Sequence, residues 1–165
     1  MPAPRATGPD RAVETAGSRG VIGLGNPLRG DDGVVPALFA RLREGEMPED
    51  AELLEFGDAS LRLVHALESF DRVLVVDAMR FGGQTGEYVV CTPDEVIARS
   101  ASGASHDPDL LEVVALAREL GDGPDRLRIF GIEPGPMAMG PGLSAALEAR
   151  LPALETALAE AIEQL

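Results

Sequence analysis

The sequence has little that could cross-link the chain or hold it in a membrane. Cys91 is its single cysteine, so no intramolecular disulfide can form and nothing indicates an oxidising compartment. No apolar run approaches the roughly 18 residues that a transmembrane helix needs. The first 20 residues carry three arginines but no apolar segment, so no signal peptide is expected. These shortages predict a cytoplasmic protein without a membrane partner.

Aromatic residues and positive charge are also scarce. The chain has no tryptophan and one tyrosine, so alanine, leucine and valine must fill the core. Flavins favour aromatic stacking partners, and we therefore expect no flavin or other organic cofactor. The 28 acidic residues outnumber the 14 basic ones, giving a formal net charge of −14. Such a surface repels nucleic acid, and no nucleic-acid partner is expected.

The 165 residues suit a single domain. Residues 1–18 lack hydrophobic periodicity and are predicted to be a flexible tail, which leaves residues 19–165 as one α/β domain. Apolar patterns predict strands at 19–24, 51–56, 72–76, 87–91 and 126–132. They predict helices at 33–43, 60–69, 107–120 and 142–165, with a short helical turn at 93–97. This alternation predicts a three-layer α/β/α sandwich with a mostly parallel, twisted sheet of the flavodoxin or phosphorylase kind.

Three residues within these elements carry predictions of their own. Pro152 lies inside the apolar pattern of the last helix and predicts a kink or break there. Cys91 lies at the end of an apolar strand and is interpreted as a core residue, not a nucleophile. His65 falls on a predicted helix, where a solvated or half-buried position is expected.

A glycine-rich turn after the first predicted strand carries two adjacent carboxylates. It reads Gly23-Leu24-Gly25-Asn26-Pro27-Leu28-Arg29-Gly30-Asp31-Asp32-Gly33. The turn lacks the Lys-Ser/Thr ending of a phosphate-binding loop and the spacing of a dinucleotide fingerprint, and its carboxylates would repel phosphate. Carboxylates at this place suit a cation or acid–base chemistry. A structural role as turn or helix-capping residues stays open.

Two further side chains are candidates for the same site. Asp77 directly follows the apolar run 73–76, and parallel strands bring their carboxyl ends to one edge of the sheet, so Asp77 is expected near Asp31 and Asp32. His106 lies in a loop of small residues before a predicted helix. Two carboxylates and one imidazole could supply half of the ligands of nickel, zinc or manganese. A cap for Asp77 and a bystander position for His106 are the alternatives.

Four stretches of the sequence together resemble the nickel–iron hydrogenase maturation proteases. They are the glycine-rich turn through Val34, Val75-Val76-Asp77-Ala78, Ser105-His106, and Gly131-Ile132-Glu133-Pro134 with Gly142-Leu143-Ser144. The resemblance implies a cytoplasmic endopeptidase that removes a C-terminal extension from the precursor of the hydrogenase large subunit. It also implies that cleavage follows nickel insertion and that the nickel arrives with the substrate.

The resemblance also assigns roles to individual residues. Asp32, Asp77 and His106 correspond to the residues that contact the metal and carry catalysis. Asp31 corresponds to a supporting or capping residue, and Asn26 to a residue that holds the loop. The mechanism would use the metal to polarise the scissile carbonyl or a water, or one carboxylate as general base.

Two positions depart from the usual pattern of that family. Val35 stands where the family usually has glycine. The segment Glu55-Phe56-Gly57-Asp58-Ala59-Ser60 replaces a turn of the Asp-Gly-Gly-Thr type. Glu55 and Asp58 are therefore alternative candidates for an acidic supporting role.

Two other functions remain as alternatives. A metal-binding or sensing module of the same fold could keep the site without protease activity. Peptidyl-tRNA hydrolases share a Gly-Leu-Gly-Asn-Pro strand end, but they need an early histidine and a basic surface. Here no histidine lies between Gly25 and His65, and the chain is acidic. The expected partner is a hydrogenase large-subunit precursor, and the expected state is a monomer.

Overall fold

The computed structural model describes residues 18–100, 108–121 and 123–165. Residues 1–17 of the predicted tail and the loop that contains His106 lie outside these ranges. The strands are β1 (Arg19–Leu24), β2 (Ala51–Phe56), β3 (Arg72–Ala78), β4 (Tyr88–Cys91) and β5 (Arg126–Ile132). The helices are α1 (Val34–Leu42), α2 (Leu61–Glu68), α3 (Pro93–Ser100), α4 (Pro108–Leu120) and α5 (Ala145–Glu163), with a 3₁₀ turn at Gly30–Gly33.

The five strands form one sheet in the order β2-β1-β3-β5-β4. Strands β1, β2, β3 and β5 run parallel, whereas β4 is antiparallel to β5. The chain builds outwards from β1 to β2 on one side and then crosses to β3 on the other, so β1 and β3 flank a topological switch point. The predicted α/β fold with a mostly parallel sheet is confirmed.

Helices cover both faces of the sheet. Alternate residues of β3 belong to different cores: Val73 and Val75 pack with the buried residues of α2, α3 and α4, and Leu74 and Val76 pack with those of α1 and α5. A strand that is apolar at every position is what a sheet buried on both faces requires. No helix in the described part of the chain is both long and apolar enough to cross a membrane.

The thiol of Cys91 lies in the first of these two cores, at the end of β4. Burial raises the pKa of Cys91 above its ordinary value, with smaller opposing effects of the nearby Arg99 and Arg128. A buried, protonated thiol is a poor nucleophile. The structure thus agrees with the interpretation of Cys91 as a core residue. His65, by contrast, is exposed on α2 beside Glu68.

The structure corrects two predicted elements near the sheet edge. Strand β3 continues through Ala78, so Asp77 lies within the strand and not after it, because β3 keeps pairing with β5 as far as Ile132. Of the kink or break predicted at Pro152, the break is wrong, because helix α5 runs through this residue. Buried leucines on both sides of the proline, Leu147 and Leu154, hold the two halves of the helix against the same core.

Three arginines in register hold the far end of α5. Arg19, Arg72 and Arg126 begin β1, β3 and β5 and pair in one row across the sheet. The Arg19 guanidinium donates to the carbonyl of Ile162 at 3.0 Å, and Arg72 and Arg126 donate to that of Leu165 at 3.2 and 3.4 Å. Positive charge near the last carbonyls of a helix interacts favourably with the negative end of the helix dipole. This row fixes α5 at the amino edge, opposite the candidate site.

Candidate functional site

The candidate site lies at the carboxyl edge of the sheet, between β1 and β3. Asp32 belongs to the 3₁₀ turn that follows β1, and this turn contacts β3. Asp77 is the second-last residue of β3. The structure therefore brings Asp32 and Asp77 to the same edge at the switch point, where open α/β sheets bind their ligands.

The backbone around Asp32 is held by short-range contacts. The Asn26 N–H donates to Oδ2 of Asp32 at 2.9 Å, and Oδ1 of Asn26 accepts from the Leu28 N–H at 2.9 Å. Gly25 has a φ of 140°, and a Cβ there would lie 2.4 Å from the carbonyl oxygen of Asp32. The Gly25-Asn26 pair thus lets the strand turn sharply and leaves the Asp32 side chain half-buried.

Asp77 occupies a more enclosed position than Asp32. Its exposed fraction is 7%, and it pairs in register with Gly131 of β5. A Cβ at position 131 would lie 2.5 Å from the terminal methyl of Met79, so a larger residue there would displace the end of that side chain. A carboxylate held in a strand of the central sheet is well placed for chemistry that needs a fixed oxygen.

The third predicted ligand, His106, lies outside the described residues. Within the described ranges, no group of three or more His, Cys, Asp or Glu side chains is placed to hold a metal ion. The structure thus brings two of the three predicted site residues to one edge. The metal-ligating role of all three stays a prediction.

Asp31 differs sharply from its neighbour Asp32, because it is completely buried. Its carboxylate accepts hydrogen bonds from the Gly135 N–H at 2.8 Å, the Ser144 N–H at 2.6 Å and the Ser144 hydroxyl at 2.8 Å. Oγ of Ser144 in turn accepts from the Leu147 N–H at 3.3 Å as the N-cap of α5. Asp31 thereby joins the turn after β1 to the loop after β5 and to the start of α5.

Glu55 and Asp58, the two candidates for an acidic supporting role, lie at the edge next to β1. Glu55 pairs in register with Gly23 and forms an ion pair with Arg43, just beyond α1. Asp58 is exposed in the turn after β2. The Arg43 contact gives Glu55 a structural partner, and a supporting role for either residue stays a prediction.

Two charged residues at this edge were given no role by the sequence. Oε2 of Glu133 accepts from the N–H groups of Phe81, Gly82 and Gly83 at 2.7, 3.0 and 3.1 Å. The Arg80 guanidinium donates to two consecutive carbonyls of the loop after β5, at 3.4 and 3.0 Å. The signal for Glu133 is a carboxylate directly after an apolar strand, the same pattern that singled out Asp77.

Replacing Glu133 by alanine should free the loop that follows Asp77. Three backbone N–H groups would lose the acceptor that holds them, and water would have to replace it at this partly exposed loop. We expect amide hydrogen exchange at residues 81–83 to accelerate by at least about 10-fold. Glu133→Gln is the matched control, because its amide oxygen can still accept; equal exchange in wild type and Glu133→Ala would contradict the assigned brace.

The fold and the edge position of the carboxylates define an α/β protein with its site at a switch point. Comparison with known proteins identifies a family within this class. The family described as hydrogenase maturation protease matches residues 36–162. The hydrogenase expression/formation protein HupD of Rhizobium leguminosarum is 32% identical over 143 residues, 84% of this chain and 71% of that protein. The hydrogenase 2 maturation protease of Escherichia coli is 28% identical, over 84% and 87% of the two chains.

A solved structure agrees with the sequence relatives. The hydrogenase maturating endopeptidase HybD from E. coli superposes with a TM-score of 0.75 at 27% identity, covering 89% of this chain and 93% of that one. The chain belongs to the hydrogenase maturation protease family. The resemblance noted in the sequence is thereby confirmed.

Proposed function

We propose that this protein is an endopeptidase that removes the C-terminal extension of a nickel–iron hydrogenase large-subunit precursor after nickel insertion, and that it recognises the nickel carried by that substrate. Family membership supports the reaction class. The observation that carries the proposal is the placement of Asp32 and Asp77 at one switch point of the sheet.

The two carboxylates suit different parts of such a reaction. Asp32 is half-buried and can meet an incoming group, whereas Asp77 is nearly enclosed within β3. Carboxylate oxygen, with imidazole nitrogen from His106, is a donor set that accepts a divalent transition metal. In this proposal Asp32, Asp77 and His106 contact the nickel of the precursor and so place the scissile peptide in register.

Peptide hydrolysis then needs a polarised carbonyl and an activated water. The substrate's nickel can polarise either one. Alternatively, one of the two carboxylates acts as general base and takes the proton of the attacking water. That carboxylate must then lie within hydrogen-bond reach of the water. The two routes share the same residues, and in both the attacking water loses a proton. They differ in whether the substrate's nickel or a carboxylate base activates the reactants.

The test is processing of two forms of one purified large-subunit precursor, nickel-loaded and nickel-free, followed by intact mass. We expect loss of a C-terminal peptide from the nickel-loaded form only. Cleavage of both forms would contradict recognition of the metal while leaving the protease activity. Cleavage of neither form, with a precursor from the same organism, would favour the metal-binding module without activity.

A further inference from the structure

The loop after β5 is unusual in composition for an exposed segment. The 11 residues of this loop, from Pro134 to Ser144, contain no charged side chain, in a chain with 42 charged residues. Met139 in this loop is 83% exposed, and Leu28 in the turn after β1 is 57% exposed. Arg29 is exposed beside Leu28, but the loop itself exposes apolar residues without interspersed charge, which is the composition of an interface core.

Backbone hydrogen bonds make these two exposed residues neighbours. The Gly140 N–H donates to the Leu28 carbonyl at 2.8 Å, and the Gly30 N–H donates to the Gly140 carbonyl at 2.9 Å. The Asp31 N–H donates to the Pro136 carbonyl at 3.0 Å. We use the name apolar platform for the surface of Leu28, Pro136, Met139, Pro141 and Leu143. A cavity of about 290 Å³ opens on it, lined by Pro136, Met139, Pro141 and Leu143 with neighbouring glycines.

The apolar platform is fixed in place before any partner arrives. Asp31 anchors the loop at Gly135 and Ser144. Gly30 approaches the Pro136 carbonyl so closely that a Cβ would lie 2.6 Å from its oxygen, in a backbone conformation with a φ of 53°. A preformed surface loses less conformational entropy on binding than a flexible one. Methionine adds a side chain that adapts its shape to an apolar partner.

The position of the platform identifies its occupant. Leu28 lies between Asn26 and Asp32, the two residues joined by a hydrogen bond at the candidate site. Because the loop after β5 is hydrogen-bonded to this turn, a protein substrate whose scissile bond reaches Asp32 has the apolar platform beside it. We infer that the apolar platform docks an uncharged, apolar surface of the hydrogenase large-subunit precursor beside its scissile segment. This inference rests on the proposed function.

Single variants of the platform test this docking. Leu28→Asp and Met139→Asp should each raise the KM for nickel-loaded precursor by about 10-fold or more, with kcat at saturating precursor unchanged. The Kd for precursor, measured by biolayer interferometry, should rise equally. Leu120→Asp is the matched control: Leu120 is 56% exposed at the end of α4, far from the carboxyl edge, and should leave KM and Kd unchanged.

A second substitution separates apolar contact from charge. Met139→Lys should weaken binding as Met139→Asp does; if lysine leaves Kd unchanged or lowers it, the contact is electrostatic and the inference is wrong. Wild-type KM and Kd in both aspartate variants would also overturn it. If wild type binds precursor but does not cleave it, the proposed function fails, and the Kd values alone still decide the docking.

Discussion

Asp77→Asn and Asp32→Asn should each slow processing of nickel-loaded precursor by about 10²-fold or more while the protein stays folded. Loss of a general base alone costs about 10²–10⁴-fold in rate. Asparagine keeps the shape of each side chain, and at position 32 its amide oxygen can still accept the hydrogen bond from Asn26. The measurement is the single-turnover rate of precursor shortening by intact mass, with circular dichroism to verify the fold.

Asp71→Asn is the control for this prediction. Asp71 immediately precedes β3 and is exposed. It therefore lies at the amino end of the strand that carries Asp77 near its carboxyl end. Its variant should process precursor at the wild-type rate. Wild-type rates for both site variants would show that these carboxylates do not carry the reaction, and Glu55→Gln and Asp58→Asn would then be the next variants to measure.

Asp31→Ala should be the most destabilising single substitution at this edge, at about 3–5 kcal/mol. Three donors would lose a buried carboxylate acceptor, and each costs about 1–3 kcal/mol when left unsatisfied. The N-terminus of α5 would also lose a favourable negative charge. In a domain of this size, such a loss lowers Tm by roughly 10 °C or more, which differential scanning calorimetry can measure.

The adjacent aspartate provides the contrast. The Asp32 side chain is half-buried and accepts one hydrogen bond, from Asn26, so Asp32→Ala should cost only about 1 kcal/mol. Asp32→Ala should therefore abolish processing with little change in Tm. Asp31→Ala should lower Tm strongly. If both alanine variants lower Tm equally, the division between a bracing and a reacting aspartate is incorrect.

Much of the architecture could be predicted because it depends on local patterns. The run Val73–Val76 is apolar at every position and rich in valine, which favours a strand covered on both faces, as the structure has it. The alternation of strands and helices then determined the fold class, and the confirmed edge position of Asp32 and Asp77 followed from parallel strands. Element ends were less certain: the extension of β3 to Ala78 depends on pairing with β5, which no local pattern contains.

The roles of the polar residues at the edge could be predicted only in part. The family resemblance assigned Asp31 a supporting or capping role, but the two aspartates are identical in type and adjacent, so no local pattern shows which one is buried or what it supports. Their separation arises because Ser144 and Gly135, more than 100 residues away along the chain, donate to Asp31 and not to Asp32. Glu133 was passed over for the same reason, because its three donors lie in another loop.

The sequence by itself determined the α/β class and the family, and it indicated the two carboxylates of the candidate site. Each of these conclusions depends on short stretches of consecutive residues. Only the tertiary structure decided which groups Asp31 holds at the start of α5 and that Glu133 holds the loop after β3. It also decided that the exposed Leu28 and Met139 lie on two segments joined by backbone hydrogen bonds. These relations join residues that are distant in sequence. They form because folding brings separate strand ends to one edge, where backbone N–H groups without a partner must find acceptors.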